Sequence, residues 1–387
     1  MTQKKTAIIF VTGVIVFGVT IFGGYSVTKY INTPHTQENP LAQATPTASA
    51  KPVDAESYCP INGKKYAVND QLQWEAKHPV AVMIENHPES RPQSGLSSAD
   101  VIYEAVAEGG ITRFMGVFLC DQAPQLVGPV RSARTYFLDW LSEYNAFYTH
   151  VGGANTDGPA DALQQIIDYG IKDFEGLSED IKQGWQRDRQ RLPDVASEHT
   201  MYLDIERLRQ FAKEKWEWDA EINGTRWDTT FEKWKFTDTT AAYTPSESTP
   251  AATLAYEFWD QSAGTFGVKW TYNAQNRTYL REMAGRPHID KNTERQLEVS
   301  NVIVLLQEQS NADDGYTNNL HLLYKTIGTG KGFVAYNGIA QPITWSKSGR
   351  TARTKFYNSN NQEVPLERGK IWISIVPTFS ADAIVIK

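Results

Sequence analysis

The chain has 387 residues, which is long enough for two domains of average size. Hydrophobic residues make up 41% and charged residues 21%, and these shares exclude a wholly disordered chain and a membrane protein with many spans. The 38 basic and 45 acidic residues give a formal charge of −7, which argues against a broad nucleic-acid-binding face but leaves room for a local basic site.

The N-terminus combines an uncharged apolar run with two preceding lysines. Residues 7–24 carry no charge, and Lys4 and Lys5 stand before them. A run of this length just suffices to cross a bilayer as a helix, and positive residues before it keep the N-terminus in the cytoplasm. We therefore expect residues 1–30 to form a cytoplasmic stub and a single transmembrane anchor. The rest of the chain would lie on the extracytoplasmic side of the cell membrane.

A cleaved secretory signal is the rival interpretation of this run. No small-x-small triplet follows the apolar residues directly, so the usual cleavage site is missing. The first cysteine is Cys59, so no cysteine for lipidation follows the run either. Both observations favour an uncleaved anchor.

A polar segment separates this anchor from the folded body. Residues 31–57 are rich in Pro, Thr, Ala and Gln and contain almost no large apolar side chain. Such a segment cannot bury enough surface to become ordered. We expect it to be a disordered tether.

Cys59 and Cys120 are the two cysteines of the chain. Outside the membrane an even number of cysteines permits a disulfide, and Cys59 stands where the folded body begins. We expect a bridge between them, with two separate buried thiols as the alternative. No metal site is predicted, because two distant cysteines lack histidines at ligand spacing.

The predicted fold is α+β, with a mixed α/β domain at residues 58–240 and an antiparallel β domain at residues 253–387. Small polar residues and prolines over residues 238–252 indicate a linker, which we place at 241–252. The first domain contains apolar runs typical of strands, a two-glycine turn at Gly109–Gly110 and two stretches with helical character. The predicted strands are 78–85, 101–108 and 111–120, and the predicted helices are 132–144 and 157–169. The second domain contains short β-like runs and no convincing helical period.

The GPVRSAR segment, residues 128–134, is the clearest indication of a binding site. Ser132 is placed to cap the predicted helix, and a helix N-terminus presents unpaired amides and partial positive charge. Arg131 and Arg134 are three residues apart and can lie on one side near that end. This predicts a pocket for a phosphate, sulfate or carboxylate, with Arg113 joining from the hairpin. Alternatively, these arginines pair with carboxylates and stabilise the fold, the candidates being Glu104, Glu108 and Asp139.

Histidines and carboxylates around this segment give weaker indications. We group His150, in the HVGG segment, with the ligand-binding residues. His87 precedes a proline and is typical of a turn, whereas His199 lies in a polar stretch that we expect to be solvated. Acid or base candidates are Glu85, Glu104 and Glu108.

Several enzyme motifs are absent. Ser94 does not lie in a G-x-S-x-G elbow, because Pro92 occupies the place of the first glycine. The chain has no P-loop, H-E-x-x-H or EF-hand pattern. No cofactor is predicted.

Two long motifs resemble the YerB-like family of bacterial extracytoplasmic proteins, which are usually described as lipoproteins. The first combines ENHPESRPQSGLSSADVIYEAVAEGGITRFMGVF with GPVRSARTYFLDW and HVGG. The second includes YLREMAGRPHID, GKGFVAYNG and KIWISIVP. The resemblance covers roughly residues 78–380 and implies two domains and a role that is not established. The chain departs from the family in its anchor, because no cysteine for lipidation follows the apolar run.

The order of the arginine-bearing segments is also loosely similar to that of LytR-CpsA-Psr phosphotransferases, which are single-span envelope proteins. That resemblance implies that Arg113, Arg131 and Arg134 hold a polyprenyl pyrophosphate.

Three functions follow as hypotheses. The leading one is a membrane-anchored envelope protein that binds an anionic cell-wall precursor or polymer, or acts as a scaffold with a protein partner. The alternative is an enzyme of phosphoryl or glycosyl transfer or hydrolysis that uses the same arginines with a carboxylate. The third is an adaptor, which requires an exposed Trp/Tyr patch on the β domain.

Overall fold

The computed structural model describes residues 56–67, 74–121, 126–178, 184–237 and 247–387. The predicted anchor at residues 7–24, nearly all of the tether and much of the linker lie outside these ranges. Within the described ranges, no helix has the length and apolar character needed to cross a membrane.

Strands dominate the structure. The strands before residue 240 are β1 Glu56–Tyr58, β2 Lys65–Ala67, β3 Val80–Glu85, β4 Val101–Glu108, β5 Ile111–Phe118, β6 Phe147–His150, β7 Asp173–Glu175, β8 Trp185–Arg187, β9 Met201–Leu203, β10 Glu221–Ile222, β11 Thr225–Arg226 and β12 Phe236–Thr237. Those that follow are β13 Thr249–Pro250, β14 Thr253–Tyr256, β15 Val268–Asn273, β16 Thr278–Met283, β17 Arg286–Pro287, β18 Ile289–Asp290, β19 Arg295–Gln296, β20 Glu298–Val299, β21 Asn301–Gln307, β22 Gln309–Asn311, β23 Leu322–Tyr324, β24 Gly328–Tyr336, β25 Ile339–Lys347, β26 Lys355–Tyr357, β27 Leu366–Glu367, β28 Ile371–Pro377 and β29 Val385–Ile386.

Helices are short. They are α1 Thr135–Leu141, α2 Ala162–Asp168, α3 Ile205–Trp216 and α4 Ala263–Phe266. Two 3-10 turns, Pro88–Ser90 and Ser197–Thr200, matter for the site described below.

One mixed sheet passes through both predicted domains. Its order is β13-β25-β24-β21-β28-β4-β5-β3-β6-β7, and β26 pairs with β25. The strand β28 runs parallel to β21 on one side and to β4 on the other. The prediction of a purely antiparallel second domain is therefore wrong. β28 is buried along its whole length, and such a continuous apolar run is typical of a central parallel strand.

A second sheet is wholly antiparallel and belongs to the C-terminal part. Its order is β17-β16-β15-β14-β29, and β20 pairs with β16. Trp270 and Tyr279 of this sheet are fully buried. Trp345 and Trp372 of the mixed sheet are also almost fully buried, at 2% and 0% exposure. These tryptophans therefore form core rather than the exposed aromatic patch that the adaptor hypothesis requires.

The hairpin of β4 and β5 confirms the predicted two-glycine turn. Gly109 and Gly110 have φ of 58° and 79°, which the right-handed twist of a tight hairpin favours and which glycine adopts without a steric penalty. This turn places Glu108 at the end of β4, opposite Ile111.

Both predicted helices exist but are shorter than expected. α1 begins at Thr135 rather than Ser132, because the backbone before it pairs elsewhere: Arg131 donates to Met83 and Ala133 donates to Gly152. α2 begins after Asp161, whose side chain accepts from the backbone N–H of Gln164 at 2.9 Å.

Candidate functional site

A polar cavity of about 350 Å³ lies where β3 ends. Glu85 is the last residue of β3, and His87 caps the 3-10 turn that follows by accepting from the backbone N–H of Glu89 at 3.3 Å. Proline at the first position of that turn presets its φ. The lining residues are Glu85, Asn86, His87, Glu89, Glu108, Ile111, Thr112, Arg113, Arg131, Ala196, Glu198 and His199. We call this space the histidine cavity.

Glu85 contacts two cationic or donor groups from distant parts of the chain. Its Oε2 lies 2.8 Å from Nδ1 of His199, and its Oε1 lies 3.0 Å from Nε of Arg131. The Arg131 contact is an ion pair without hydrogen-bond geometry, since that Nε–H has no hydrogen-bond partner among the described residues. Both Glu85 and His199 have nearly buried side chains, at 5% and 7% exposure. The expectation that His199 is solvated is therefore wrong.

His199 also faces the 3-10 turn at residues 88–90. Its Nε2 lies 3.5 Å from a carboxylate oxygen of Glu89. Its ring is stacked on that of His87, with centroids 4.9 Å apart and planes 8° apart. The ligand atoms of His87, Glu89 and His199 all lie within 4.8 Å of one another.

Two of the predicted anion-binding arginines are instead paired with one carboxylate. Arg113 lies 3.1 Å from Oε1 of Glu108, and Arg134 donates to Oε2. Arg113 and Arg134 are only 4% and 8% exposed. Burial opposes ionisation of Glu108, but the two guanidinium groups lower its pKa to about 2. The pairing with Glu108 that the structural alternative requires is thus present for these two arginines.

Ser132 does not cap the helix. The N-cap residue of α1 is Arg134, and no side chain caps this end. The backbone carbonyl of Ser132 accepts a hydrogen bond from Nη1 of Arg113 at 2.7 Å. The helix therefore begins three residues later than predicted, and Glu108 occupies the guanidinium group of its N-cap residue, Arg134.

His150 is buried away from the histidine cavity. Its Nε2 lies 2.8 Å from Asp173, and its Nδ1 lies 2.8 Å from the carbonyl of Gly152. Burial opposes protonation, but the hydrogen bond and charge of Asp173 raise the pKa of His150. These contacts give His150 a structural role in joining β6 to β7.

Glu104 is separate from the other two carboxylate candidates. It is fully buried and pairs with Arg281 of β16. Trp372 and Thr112 also donate to its two oxygens, at 3.1 Å each. Glu104 does not line the histidine cavity, so the structure brings together Glu85 and Glu108 alone among the three predicted acid or base residues.

Cys59 and Cys120 form a disulfide. The bridge ties the strand pair β1–β2 to the end of β5. The buried carboxylate of Asp100 accepts from the backbone N–H groups of Leu119 and Cys120, at 2.7 and 2.9 Å. Asn62, three residues after Cys59, donates to the same carboxylate at 2.7 Å.

A second, larger cavity of about 700 Å³ is basic. Four basic side chains line it, against the two carboxylates of Asp121 and Glu298. Asp121 pairs with two of the lysines, and Arg295 lies on an exposed strand end. The basic residues are Lys64, Arg295, Arg368 and Lys370. We call this space the basic cavity.

Comparisons with known proteins identify both halves of the body. Residues 67–220 match the family described as "Protein of unknown function (DUF3048) N-terminal domain", and residues 254–373 match its C-terminal domain. A curated relative, "Putative lipoprotein YerB" of Bacillus subtilis (strain 168), is 28% identical over 311 residues, which are 80% of this chain and 84% of the relative.

The fold is also that of a solved structure. The crystal structure of YerB protein from Bacillus subtilis matches with a TM-score of 0.68 at 23% identity and covers 86% of this chain and 99% of the other.

Proposed function

This chain belongs to the YerB-like family with the two DUF3048 domains, and from that membership we propose that it is an envelope protein held at the extracytoplasmic face of the cell membrane. The relative from Bacillus subtilis is named "Putative lipoprotein YerB", and this name supports an envelope location. In this chain the apolar run at residues 7–24 would replace a lipid as the anchor. The Cys59–Cys120 disulfide suits the oxidising side of the membrane.

Cell fractionation tests the anchor. The full chain should remain with membranes after a high-salt wash, and external protease should degrade its folded body in spheroplasts. A chain lacking residues 1–30 but supplied with a cleavable export signal should appear in the soluble external fraction. Equal membrane retention of the shortened chain would contradict the anchor.

We further propose that the folded part of the chain binds an anionic ligand, such as a cell-wall precursor or polymer, in the basic cavity. The single observation that carries this assignment is the charge balance of the two cavities. The basic cavity has four basic and two acidic side chains. The histidine cavity has two arginines and four glutamates. With neutral histidines, an anion is therefore attracted to the first and repelled by the second.

Arg131 is the one predicted arginine that retains capacity for a ligand. Its side chain is 28% exposed, and its Nε–H has no hydrogen-bond partner within the described part of the chain. An anion there must still compete with Glu85. We therefore place Arg131 second to the basic cavity as an anion contact.

Co-sedimentation with purified cell-wall fractions tests the assignment. The double variant Arg295→Gln plus Lys370→Gln should bind at least about tenfold more weakly, because a hydrogen bond to a charged group contributes about 1.5 kcal/mol or more and 1.4 kcal/mol is about tenfold. Lys213→Gln plus Lys235→Gln is the matched control, since it removes the same charge from side chains that are 64% and 66% exposed. Equal weakening by both double variants would reduce the effect to net charge and overturn the site.

The enzyme alternative has one specific observation in its favour. Glu85, His199 and Arg131 form a connected set at the rim of the histidine cavity, as a general base with an orienting carboxylate would require. Turnover of phosphoryl or glycosyl substrates that His199→Gln abolishes, with unchanged unfolding behaviour, would support it. Wall binding without turnover would support the binding protein or a scaffold for an envelope partner.

A further inference from the structure

The most unusual feature of the histidine cavity is a pair of lone-pair-bearing atoms that face each other. The carboxylate of Glu85 can only accept, so the proton of a neutral His199 lies on Nδ1, 2.8 Å from Glu85. The lone pair of His199 is then on Nε2, which lies 3.5 Å from the carboxylate of Glu89. A cation between or beside these two electron-rich atoms, either a proton on Nε2 or a metal ion, would remove their repulsion.

His87 adds a third ligand atom to this pair. Its ring stacks on His199, and a nitrogen of that ring, a Glu89 oxygen and the His199 nitrogen lie within 4.8 Å of one another. Three ligand atoms bonded to one ion at about 2.0–2.2 Å are separated by about 3.3–3.8 Å. The ring of half-buried His87, which is stacked nearly parallel to that of His199, would therefore have to rotate to point a nitrogen at the same ion.

The surroundings of His199 resemble the outer shell of a metal-bound histidine. Metal-bound histidines commonly donate their second ring N–H to a carboxylate, which fixes the tautomer and raises ligand basicity. Glu85 occupies that position, and Arg131 holds its other oxygen from 3.0 Å. His199 itself is 5% exposed, so its orientation is set by packing as well as by Glu85.

We propose that His87, Glu89 and His199 bind one divalent transition-metal ion, with Glu85 as the positioning residue for His199. Two imidazoles and one carboxylate suit zinc and its neighbours in the first transition row, whereas Ca²⁺ and Mg²⁺ require mostly oxygen ligands. Three protein ligands leave one or more positions open to water or an exogenous ligand. The net negative charge of the histidine cavity, unfavourable for an anion, favours this cation.

The only other histidine, cysteine and carboxylate cluster of this kind among the described residues does not compete. It consists of Cys59, Asp100 and Cys120, and its two sulfurs are joined in the disulfide. Zinc bound by the folded protein is therefore expected at a single site.

Calorimetric titration of the metal-stripped full chain in detergent with Zn²⁺ tests the proposal. We expect one equivalent to bind, and Co²⁺ in its place should give a visible absorption spectrum of a nitrogen- and oxygen-ligated ion. His87→Ala should weaken Zn²⁺ binding at least about 100-fold. Glu85→Gln should weaken it about 10- to 100-fold, because it changes the outer shell and leaves all three ligands in place.

Glu198→Gln is the matched control, because Glu198 is an exposed glutamate at the same cavity and the change removes the same charge as Glu89→Gln. We expect less than about a threefold change in this control. His87 is only half-buried, so its alanine variant should keep the urea unfolding curve of the metal-free chain.

Three results would overturn the metal site. They are no binding of Zn²⁺ or Co²⁺ below millimolar concentration, unchanged binding in His87→Ala, and equal weakening by Glu198→Gln and Glu89→Gln. Absence of metal binding would mean that a proton on His199, and not a metal ion, accounts for its contact with Glu89. The basic-cavity variants should bind Zn²⁺ normally, so this test and the wall-binding test fail independently.

Discussion

Glu104 and Arg281 form an ion pair in which neither side chain is exposed to solvent. Nη2 of Arg281 donates to both carboxylate oxygens, at 3.0 and 2.8 Å, although the residues are 177 positions apart. Glu104 lies in β4 of the mixed sheet, and Arg281 lies in β16 of the second sheet. A charged contact inside the core therefore joins the two sheets, and the two matched family domains fold as parts of one body.

The first prediction concerns this pair. Arg281→Met should lower the free energy of unfolding by about 3–5 kcal/mol, because it leaves the buried charge of Glu104 without its partner. The double variant Glu104→Gln plus Arg281→Met should recover a large part of that loss. Urea unfolding of the three chains measures both effects.

An exposed pair serves as the control for this measurement. Lys325 and Glu308 are 59% and 69% exposed, so Lys325→Met should cost at most about 1 kcal/mol. A similar cost for Lys325→Met and Arg281→Met would contradict the assignment of the buried pair to stability.

The second prediction concerns Glu108, which holds Arg113 and Arg134. Its pKa of about 2 lies below the ordinary value of 4.5, so its contribution to stability is present above pH 4.5 and is lost as the pH falls towards 2. At pH 7 Glu108→Gln should cost about 3 kcal/mol, since one pKa unit corresponds to about 1.4 kcal/mol. The difference between the two chains should shrink in unfolding curves taken at progressively lower pH.

The same variant distinguishes structural arginines from ligand-binding ones. If Arg113 and Arg134 are free to bind an anion once Glu108 is neutral, Glu108→Gln should bind inorganic phosphate more tightly than the wild type. We expect no phosphate binding by either chain at this position, because both guanidinium groups are buried. Titration calorimetry decides between the two outcomes.

The third prediction concerns the disulfide. Replacing Cys59 and Cys120 by serine should lower the free energy of unfolding by about 3–4 kcal/mol, because the bridge closes a 61-residue separation and restricts the unfolded chain. Reductant should lower the stability of the wild type to that of the variant. The variant should not respond to reductant, and a response there would show that the effect is not due to the bridge.

Local patterns predicted the elements that depend on neighbouring residues. The strand β3 and the β4–β5 hairpin were predictable because an apolar run and two adjacent glycines restrict the backbone by themselves. The helix α3 was missed, although Asp204 caps it and Ile205, Leu208 and Ala212 supply its buried face. Few of its residues are apolar, and the charged residues between them obscure the helical periodicity of the sequence.

Contacts between distant residues could not be predicted from one sequence. β28 has the composition of a buried strand, but its parallel neighbours β21 and β4 depend on the packing of the whole body. The same reason hid the partner of Glu85, since His199 is 114 residues away and stands in a polar segment. The arginines stand out in the sequence, whereas only the three-dimensional contacts identify the carboxylates that pair with them.

The last prediction concerns His150 and Asp173. His150 is fully buried, and when protonated it donates to both Asp173 and the carbonyl of Gly152. Because its pKa is raised in the folded state, the stability from this contact is fully present below the unfolded value of about 6.5 and is lost as the pH rises through the folded pKa. Asp173→Asn should therefore cost about 1.5–3 kcal/mol near pH 5.5, the contribution of a charged hydrogen bond, and much less near pH 9.

Urea unfolding at the two pH values measures this difference, and Asp168→Asn is the control, because Asp168 is an exposed aspartate on α2. The control should cost little at either pH. An equal cost of Asp173→Asn at pH 5.5 and pH 9 would mean that His150 stays neutral and that Asp173 only accepts a hydrogen bond from the neutral imidazole. A larger cost at pH 9 would reverse the sign of the linkage and contradict a protonated His150.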